Sequence, residues 1–244
     1  IPGPGTDLNA RPEGQASWSR PPGGLARLDL GWHFLRLFDV DADGRDDLCG
    51  LYGLPGGQYA YGCVINNWQG SFAGRIVQAQ AFNGTPNASI HGTMALVDLD
   101  GNGERHLCGR TAEGMKCQHY NRSSRQFDPA VRLLAADPSA EFSDANGWNQ
   151  EAYYATIGFA RMSGRTALCG RGRAGVMCFL RNRGAFNTTP FWAHAFGDGN
   201  LWDQPQYFRT LRYVDINGDG HSDICARGKA GILSLLAGGS ASDA

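Results

Sequence analysis

The sequence lacks the features that would place it in several common classes of protein. Its 22 Lys and Arg residues nearly balance 23 Asp and Glu residues, and the formal net charge of −1 gives no reason to expect nucleic acid as a partner. No apolar run approaches the roughly 18 residues that span a bilayer, so we expect no membrane insertion. The motifs of serine hydrolases, zinc proteases and phosphate-binding loops are absent as well.

Charged residues are few, at 18% of the chain, whereas hydrophobic residues make up 42%, a balance that argues against disorder. Thirty-five glycines and eleven prolines among 244 residues favour many tight turns over long helices. We therefore predict a single all-β domain, 1–244, with a sizeable core.

Seven cysteines mark an internal repeat of about sixty residues. The first cysteines of the four copies lie 59, 61 and 56 residues apart and are Cys49, Cys108, Cys169 and Cys225. Three copies have a second cysteine after a glycine-containing turn, and the fourth has Ser234 there. Facing cysteines of a hairpin are close enough to bridge, so we predict the disulfides Cys49–Cys63, Cys108–Cys117 and Cys169–Cys178, with Cys225 unpaired. Such a framework indicates a secreted protein, extracellular or periplasmic.

Each hairpin has a further predicted strand on either side. The inner strands are expected at 34–38, 94–97, 154–159 and 211–214, and the outer ones at 76–81, 131–134 and 191–194. Four such sheets form a four-bladed β-propeller with four-stranded antiparallel blades, their cores near 30–81, 91–135, 152–195 and 207–236. Because few residues follow Ser234, we expect residues 1–29, with a strand near 15–19, to complete the last blade and close the ring.

The first and fourth repeats begin with a loop of the pattern D-x-[DN]-x-D-G-x-x-D. Ca²⁺ prefers six to eight oxygen ligands, and alternate side chains of a tight loop supply them. The predicted ligands of the first loop are Asp39, Asp41, Asp43, the Arg45 carbonyl and Asp47. Those of the fourth loop are Asp215, Asn217, Asp219, the His221 carbonyl and Asp223.

The other two loops depart from this pattern. The second loop keeps Asp98, Asp100, Asn102 and the Glu104 carbonyl as candidate ligands, but His106 stands at the closing position. Imidazole suits softer metals than Ca²⁺, so the sequence leaves this site open. The third loop is shorter by two residues and has Arg161 in place of the first aspartate, so we expect no metal there.

Aspartate-rich loops before Leu-Cys or Ile-Cys, in four units of about sixty residues, resemble the FG-GAP or VCBS-type repeats of calcium-binding β-propellers. Integrin α-subunit heads and propeller lectins contain such repeats. The resemblance covers nearly all of the chain and is strongest in repeats 1 and 4. It implies two or three structural Ca²⁺ ions that stiffen the loops. The best-known members have seven blades, so the number four rests on the repeats counted here.

The predicted function is recognition of carbohydrate or another extracellular ligand, including a protein. Indoles among amides and carboxylates suit stacking on a sugar and bonding its hydroxyls. The candidate residues are Trp68, Trp148, Asn149, Trp202 and Asp203, with packing between blades as the alternative for each tryptophan. Trp32 and Trp192, inside apolar stretches, are expected in the core.

Two other functions remain open on the sequence alone. One is a secreted hydrolase or lyase, for which Glu151, His194 with Asp198, or Cys225 would be the reactive groups, although no motif supports them. The other is a protein-interaction domain of a larger secreted protein or toxin.

Overall fold

A computed structural model describes residues 32–66, 75–132, 141–182 and 184–237. Four antiparallel sheets of successive chain segments are arranged as a four-bladed β-propeller, which confirms the predicted fold class. Within each sheet the strands pair in chain order as a meander, except that the last strand of blades 2 and 3 pairs with the third strand of its blade.

The first two blades contain nine strands. Blade 1 comprises β1 (His33–Phe38), β2 (Asp47–Gly53), β3 (Tyr59–Val64) and β4 (Ile76–Gln78). Blade 2 comprises β5 (Ala95–Val97), β6 (His106–Thr111), β7 (Gly114–Asn121), β8 (Gln126–Phe127) and β9 (Val131–Arg132). Both β8 and β9 pair with β7, so this long strand supports two short outer ones.

Blade 3 repeats this arrangement with β10 (Gly158–Met162), β11 (Arg165–Gly172), β12 (Gly175–Asn182), β13 (Ala185–Phe186) and β14 (Phe191–Ala193). Blade 4 comprises β15 (Arg212–Val214), β16 (Asp223–Gly228) and β17 (Gly231–Leu235). Within the described residues, this last sheet has three strands. All five residues of β17 are exposed. The predicted completion of blade 4 by residues 1–29 lies outside the described residues.

One inner strand begins later than predicted. A single helical turn occupies Glu151–Tyr154, and β10 starts at Gly158. Equivalent turns precede the inner strands of blades 2 and 4, so the helices of the described chain are α1 (Ala88–His91), α2 (Glu151–Tyr154) and α3 (Pro205–Phe208). Among the described residues, no helix is long and apolar enough to cross a bilayer.

The three predicted disulfides are confirmed. Each joins directly opposed residues of the two central strands of a blade, with Cα atoms 4.0 or 4.1 Å apart. Cys225 is free and lies opposite Ser234, as the alignment of repeats predicts. Three such bonds fit a protein of an oxidising compartment.

The core lies between neighbouring blades and forms three clusters, one at each of the three described junctions. Trp148 shows how a junction is filled, since its indole packs on Phe142 with ring centroids 4.5 Å apart. The indole also packs against β11, where a Cβ atom on Gly170 would come within 2.7 Å of it. Trp202 packs in the same way on Phe196 in the next junction.

Two fully buried arginines, both missed by the sequence analysis, tie the blades together. Arg110 and Arg171 each follow the first cysteine of their blade by two residues and are 0% exposed. Arg110 forms an ion pair with Asp144 at 2.5 Å and donates to Ser89 O and Ser89 Oγ, both at 2.6 Å. Its partners thus belong to the connections on both sides of blade 2. The repeated Cys-Gly-Arg sequence was the signal that could have identified these residues.

Candidate metal and ligand site

The acidic loop of blade 1 gathers three of its predicted ligands. One carboxylate oxygen from each of Asp39, Asp41 and Asp43 lies within 4.8 Å of the others. Asp39 closes the loop, because its two oxygens accept from Asp43 N at 3.0 Å and Gly44 N at 3.2 Å. Gly44 turns the chain with a φ of 87°, a value that favours glycine. Asp43 accepts from Arg45 N at 2.9 Å and also forms an ion pair with the guanidinium of Arg45.

Asp41 is the member of this group whose negative charge is destabilised by its surroundings. Its Oδ1 atom is buried and has no hydrogen-bond donor within the described chain. Burial raises the pKa of Asp41, and the neighbouring carboxylates of Asp43 and Asp39 raise it further. A buried, unpartnered carboxylate oxygen beside two like charges is stabilised by a bound cation. The donor set, made only of oxygen, suits a hard ion such as Ca²⁺.

Asp47, the predicted closing ligand, holds the loop through hydrogen bonds to the backbone. It is 0% exposed, and its two oxygens accept from Val40 N at 2.9 Å and Asn66 N at 2.8 Å. Burial raises its pKa to about 6. Asp47 is therefore absent from the close group of three, although it fixes the backbone that carries that group.

The acidic loop of blade 4 has the same internal bonding. Asp215 accepts from Gly218 N at 2.7 Å and Gly220 N at 2.9 Å, and Asp219 accepts from His221 N at 2.8 Å. The closing Asp223 is 0% exposed and accepts from Ile216 N and Ala237 N, as Asp47 does in blade 1. The Asn217 amide donates to Asp219 Oδ2 at 3.0 Å. Within the described residues, the close group of three carboxylates occurs in blade 1, not here.

The loop of blade 2, where the sequence leaves a metal site open, carries an ion pair. The Asp100 carboxylate accepts from Arg181 Nε at 2.7 Å and from Arg181 Nη2 at 3.1 Å, a bidentate pair between blades 2 and 3. This hydrogen bonding lowers the pKa of Asp100. Asp98 closes the loop by accepting from backbone amides, and Asn102 accepts from Glu104 N at 2.9 Å. At the closing position, the His106 ring faces that of His119 at 5.1 Å.

Blade 3 has a hairpin turn in place of an acidic loop. Ser163 and Gly164 adopt φ values of 50° and 70° between β10 and β11. This turn contacts the loop of blade 4, because Ser163 N donates to His221 Nδ1 at 2.9 Å and Arg161 N donates to Ser222 Oγ at 2.9 Å.

A groove runs between blades 1 and 2 and consists of two recesses that share Arg75 and Val77. The first, here called the amide recess, is lined by Gln78, Gln80, Gln118 and Gln126 together with Tyr52, Phe127 and Asp128. The second, called the arginine recess, is lined by Arg75, Arg122 and Arg125 together with Asp41, Asp43, Asn66 and Tyr120. Their volumes of about 750 and 480 Å³ lie within the range of roughly 300 to 1,000 Å³ that is usual for small-molecule pockets.

Three amides of the groove are exposed, those of Gln78, Gln80 and Gln126. Gln78 is held by the hydroxyl of Tyr52, to which its Nε2 donates at 2.8 Å. Gln118 has a structural role instead, since its amide accepts from Ala81 N and donates to Asp128 O. The groove thus combines three accessible donor–acceptor groups with the half-buried ring of Phe127.

The tryptophans proposed as ligand contacts do not meet solvent. Trp148 is 2% exposed and Trp202 is 3% exposed, so neither indole can stack on a sugar, and that prediction is corrected. The packing of each against Phe142 or Phe196 is the reason. Asn149 and Asp203 are exposed beside them. Trp68 lies outside the described residues.

Trp192 is exposed, although the sequence predicts a position in the core. Its side chain is 43% exposed, and its ring stacks on that of His194 with ring centroids 5.5 Å apart. It lies on the outer strand β14, whose neighbour Phe191 is 56% exposed. Trp32 is half-buried and packs on Tyr52, with ring centroids 5.1 Å apart.

Of the residues considered for catalysis, Glu151, His194 and Asp198 have structural partners, and Cys225 is a free thiol of blade 4. Glu151 forms an ion pair with Arg209 at 2.5 Å, and Asp198 forms one with Arg171 at 2.6 Å. His194 contacts the Ala174 carbonyl at 3.1 Å. These contacts hold connections between blades and do not bring an acid and a base together.

The residues of the groove have no signal in the sequence. Its glutamines and arginines come from β4, the turn after it, and the β7–β8 hairpin, which are distant in the chain. None belongs to a short motif, so only the packing of blade 1 against blade 2 identifies them.

No family model matches this chain, and no curated protein matches it. Among solved structures, the exotype rhamnogalacturonan lyase YesX is 14% identical, with a TM-score of 0.43, over 84% of this chain and 40% of its own. A Bacillus licheniformis rhamnogalacturonan lyase is 14% identical, with a TM-score of 0.43, over 79% of this chain and 39% of its own. The V. cholerae biofilm matrix protein Bap1 is 16% identical, with a TM-score of 0.32, over 83% of this chain and 30% of its own.

This chain spans about two fifths of the length of the two lyases. At these identities and TM-scores, the likenesses assign neither a ligand nor an activity to it.

Proposed function

We propose that this propeller is a carbohydrate-recognition module of a secreted protein and that it binds its ligand in the groove between blades 1 and 2. The observation that supports this proposal is the amide recess, where three exposed glutamine side chains surround a half-buried aromatic ring. An amide both donates and accepts hydrogen bonds, which matches the hydroxyl groups of a sugar. An aromatic face beside them suits the apolar face of a sugar ring.

Two of these amides are free to bond a ligand. Within the described chain, the side chains of Gln80 and Gln126 have no hydrogen-bond partner, in contrast to that of Gln118. Gln78 donates to Tyr52 and keeps its carbonyl oxygen for a donor on the ligand. The blades on either side are each stapled by a disulfide, so the groove is formed before a ligand arrives. Such preorganisation reduces the entropic cost of binding.

In this proposal, Ca²⁺ ions stabilise the loops of blades 1 and 4, as in the FG-GAP or VCBS-type repeats that the sequence resembles. In blade 1 the ligands would be Asp39, Asp41 and Asp43 with the Arg45 carbonyl, and the unpartnered Oδ1 of Asp41 favours this site. In blade 4 they would be Asp215, Asn217 and Asp219 with the His221 carbonyl. We exclude blade 2 because both oxygens of Asp100 accept from Arg181 and His106 stands at the closing position. In blade 1, by contrast, only Asp43 of the three aspartates pairs with an arginine of the described chain, Arg45 of the same loop.

A glycan array in calcium buffer, followed by calorimetric titration of the best glycan, tests the proposed function. The double variant Gln80→Ala/Gln126→Ala should weaken binding at least tenfold with an unchanged melting temperature, because both side chains are exposed. Gln206→Ala, an exposed glutamine on α3, is the matched control and should bind like the wild type. If the double variant binds the glycan as well as the wild type does, the groove is not the binding site.

A further inference from the structure

We propose that the ligand of this groove is an anionic glycan whose acidic group is held in the arginine recess by Arg75, Arg122 and Arg125. This inference rests on the proposed function and names the class of sugar: one that carries carboxylate or sulfate groups. The argument depends on the arginines, the neighbouring acidic loop and the continuity of the two recesses.

The three arginines line one recess although they come from two blades. Arg75 directly precedes β4 of blade 1, whereas Arg122 and Arg125 lie in the turn between β7 and β8 of blade 2. All three are exposed. The chain as a whole has a net charge of −1, so this concentration of positive charge is local rather than a consequence of a basic composition.

The three arginines of this recess are without the carboxylate partners that some arginines of the chain have. In the part of the chain that the structure describes, ion pairs with carboxylates are formed by Arg45, Arg110, Arg171, Arg181 and Arg209. Within the described residues, Arg75, Arg122 and Arg125 have no carboxylate within 4.0 Å and no side-chain hydrogen bond. Their guanidinium groups are therefore available to an external anion, and the planar fork of arginine matches carboxylate and sulfate oxygens in a bidentate manner.

The recess also contains groups of the opposite charge. Asp41 and Asp43, from the acidic loop of blade 1, line it beside the arginines. Burial raises the pKa of Tyr120, which also lines the recess; the carboxylates of Asp41 and Asp47 raise it further, and Arg125 and Arg75 oppose them. Arg45 of the same loop also lines the recess and pairs with Asp43, so Asp41 is the carboxylate that repels an anion until its charge is neutralised. A cation bound in the loop would remove this repulsion, so binding of an anionic glycan should be stronger in Ca²⁺ than in EDTA.

The continuity of the groove explains why a glycan fits better than an isolated anion. Arg75 and Val77 belong to both recesses, so a chain of sugars can place its acidic group at the arginine end and its hydroxyls at the amide end. A single small anion would use only one half of this surface. Together, the arginine recess and the amide recess recognise both the charge and the hydroxyl groups of a saccharide.

Calorimetric titration with three defined probes tests the inference. They are a galacturonate tetramer, the same tetramer with its carboxylates methyl-esterified, and a sulfated tetrasaccharide, each at low salt in Ca²⁺ and in EDTA. We expect the acid to bind at least tenfold more tightly than the neutral ester and to lose affinity in EDTA. The double variant Arg75→Gln/Arg122→Gln should reduce acid binding to the level of the ester, with an unchanged melting temperature. Arg227→Gln, an exposed arginine of blade 4, is the matched control.

The outcomes separate the inference from the proposed function. Tight binding of the acid, of the sulfated probe or of both, lost in the arginine double variant, supports an anionic ligand and identifies which acidic group the recess holds. Equal binding of acid and ester that depends on Gln80 and Gln126 overturns the anionic class and keeps carbohydrate binding in the groove. Binding that neither pair of substitutions weakens, or no binding of any glycan, overturns both.

Discussion

Nη1 of Arg171 lies 2.6 Å from Oδ1 of Asp198, a residue 27 positions further along the chain in the connection to blade 4. The same guanidinium donates to the carbonyls of Ala152 and Phe196, so it joins the connections on both sides of blade 3. The other oxygen of Asp198 accepts from the Tyr153 hydroxyl at 2.8 Å. A repeat protein without a common central core depends on such contacts between neighbouring units.

The first prediction concerns this ion pair. Asp198→Ala should lower the free energy of unfolding by about 3 kcal/mol, because Arg171 is fully buried and loses its only counterion within the described residues. The value lies at the low end of the usual range because the Asp198 side chain is 26% exposed and water can partly replace it. Denaturant unfolding measures the change.

Arg227→Ala provides the control for this experiment. Arg227 follows Cys225 by two residues, as Arg171 follows Cys169, but it is exposed. Its replacement should change stability by no more than about 0.5 kcal/mol. An Asp198→Ala variant as stable as this control would show that the buried pair contributes nothing to the junction.

The second prediction is a fourth disulfide. Cys225 and Ser234 are directly opposed on β16 and β17, in the register in which three other pairs are already bridged. Ser234→Cys should therefore oxidise spontaneously and stabilise the protein by about 2 kcal/mol, since it closes a loop of the same length as the two shorter natural bonds. Thiol titration and thermal unfolding measure the two effects.

Leu233→Cys is the matched control for the new bond. Leu233 lies opposite Ala226 and points to the other face of the sheet. This variant should contain two free thiols, whereas Ser234→Cys should contain none. Two titratable thiols in Ser234→Cys would contradict the observed register of blade 4.

The third prediction concerns pH. His91 is 1% exposed, its Nε2 lies 2.9 Å from the Phe82 carbonyl, and its Nδ1 lies 3.1 Å from both Asn87 N and the Asn87 carbonyl, contacts that a neutral ring satisfies by accepting from Asn87 N and donating to Phe82. The rings of Tyr61 and Phe34 pack on it, and Arg36 approaches through the Gly92 carbonyl. Burial lowers the pKa of His91 below its usual 6.5.

Because the unfolded chain takes up this proton first as the pH falls, His91 should destabilise the fold below about pH 6.5, with no effect above it. Unfolding at pH 7.5 and 5.5 should show a larger loss of stability in the wild type than in His91→Gln. The difference between the two proteins isolates His91 from the carboxylates that titrate in both. An equal loss in both proteins would contradict the buried neutral state.

The fourth prediction tests the proposed calcium sites. EDTA should lower the melting temperature and Ca²⁺ should restore it, since a ligand at a hundredfold excess over its dissociation constant contributes about 2.7 kcal/mol. Asp41→Asn/Asp43→Asn should reduce the bound calcium by one ion per chain and shrink the shift. Asp100→Asn, which alters the ion pair of blade 2, should leave the calcium content unchanged. Metal analysis that finds no calcium in the wild type would remove the sites from blades 1 and 4 alike.

The repeats made the fold predictable. The spacing of seven cysteines and the returning Asp-rich loops were sufficient for the four blades, their hairpins and the three disulfides, because these features depend on residues close together in the chain. The inner strand of blade 3 was misplaced by four residues, since the helical turn that precedes it has no distinct local signal.

The tertiary structure decided what the repeated residues do. The residues next to Trp148 and Trp202 are those of a sugar-binding loop. Each indole nevertheless fills a junction between blades, because a glycine on the adjacent strand leaves room for it. Asp100 occupies a metal-ligand position in the repeat, but it forms an ion pair with Arg181 of the next blade. The groove arises only where blade 1 meets blade 2. Local patterns are sufficient to specify the hairpins of each blade, whereas the surfaces at which two blades meet combine residues distant in the chain, and only the packed propeller brings those residues together.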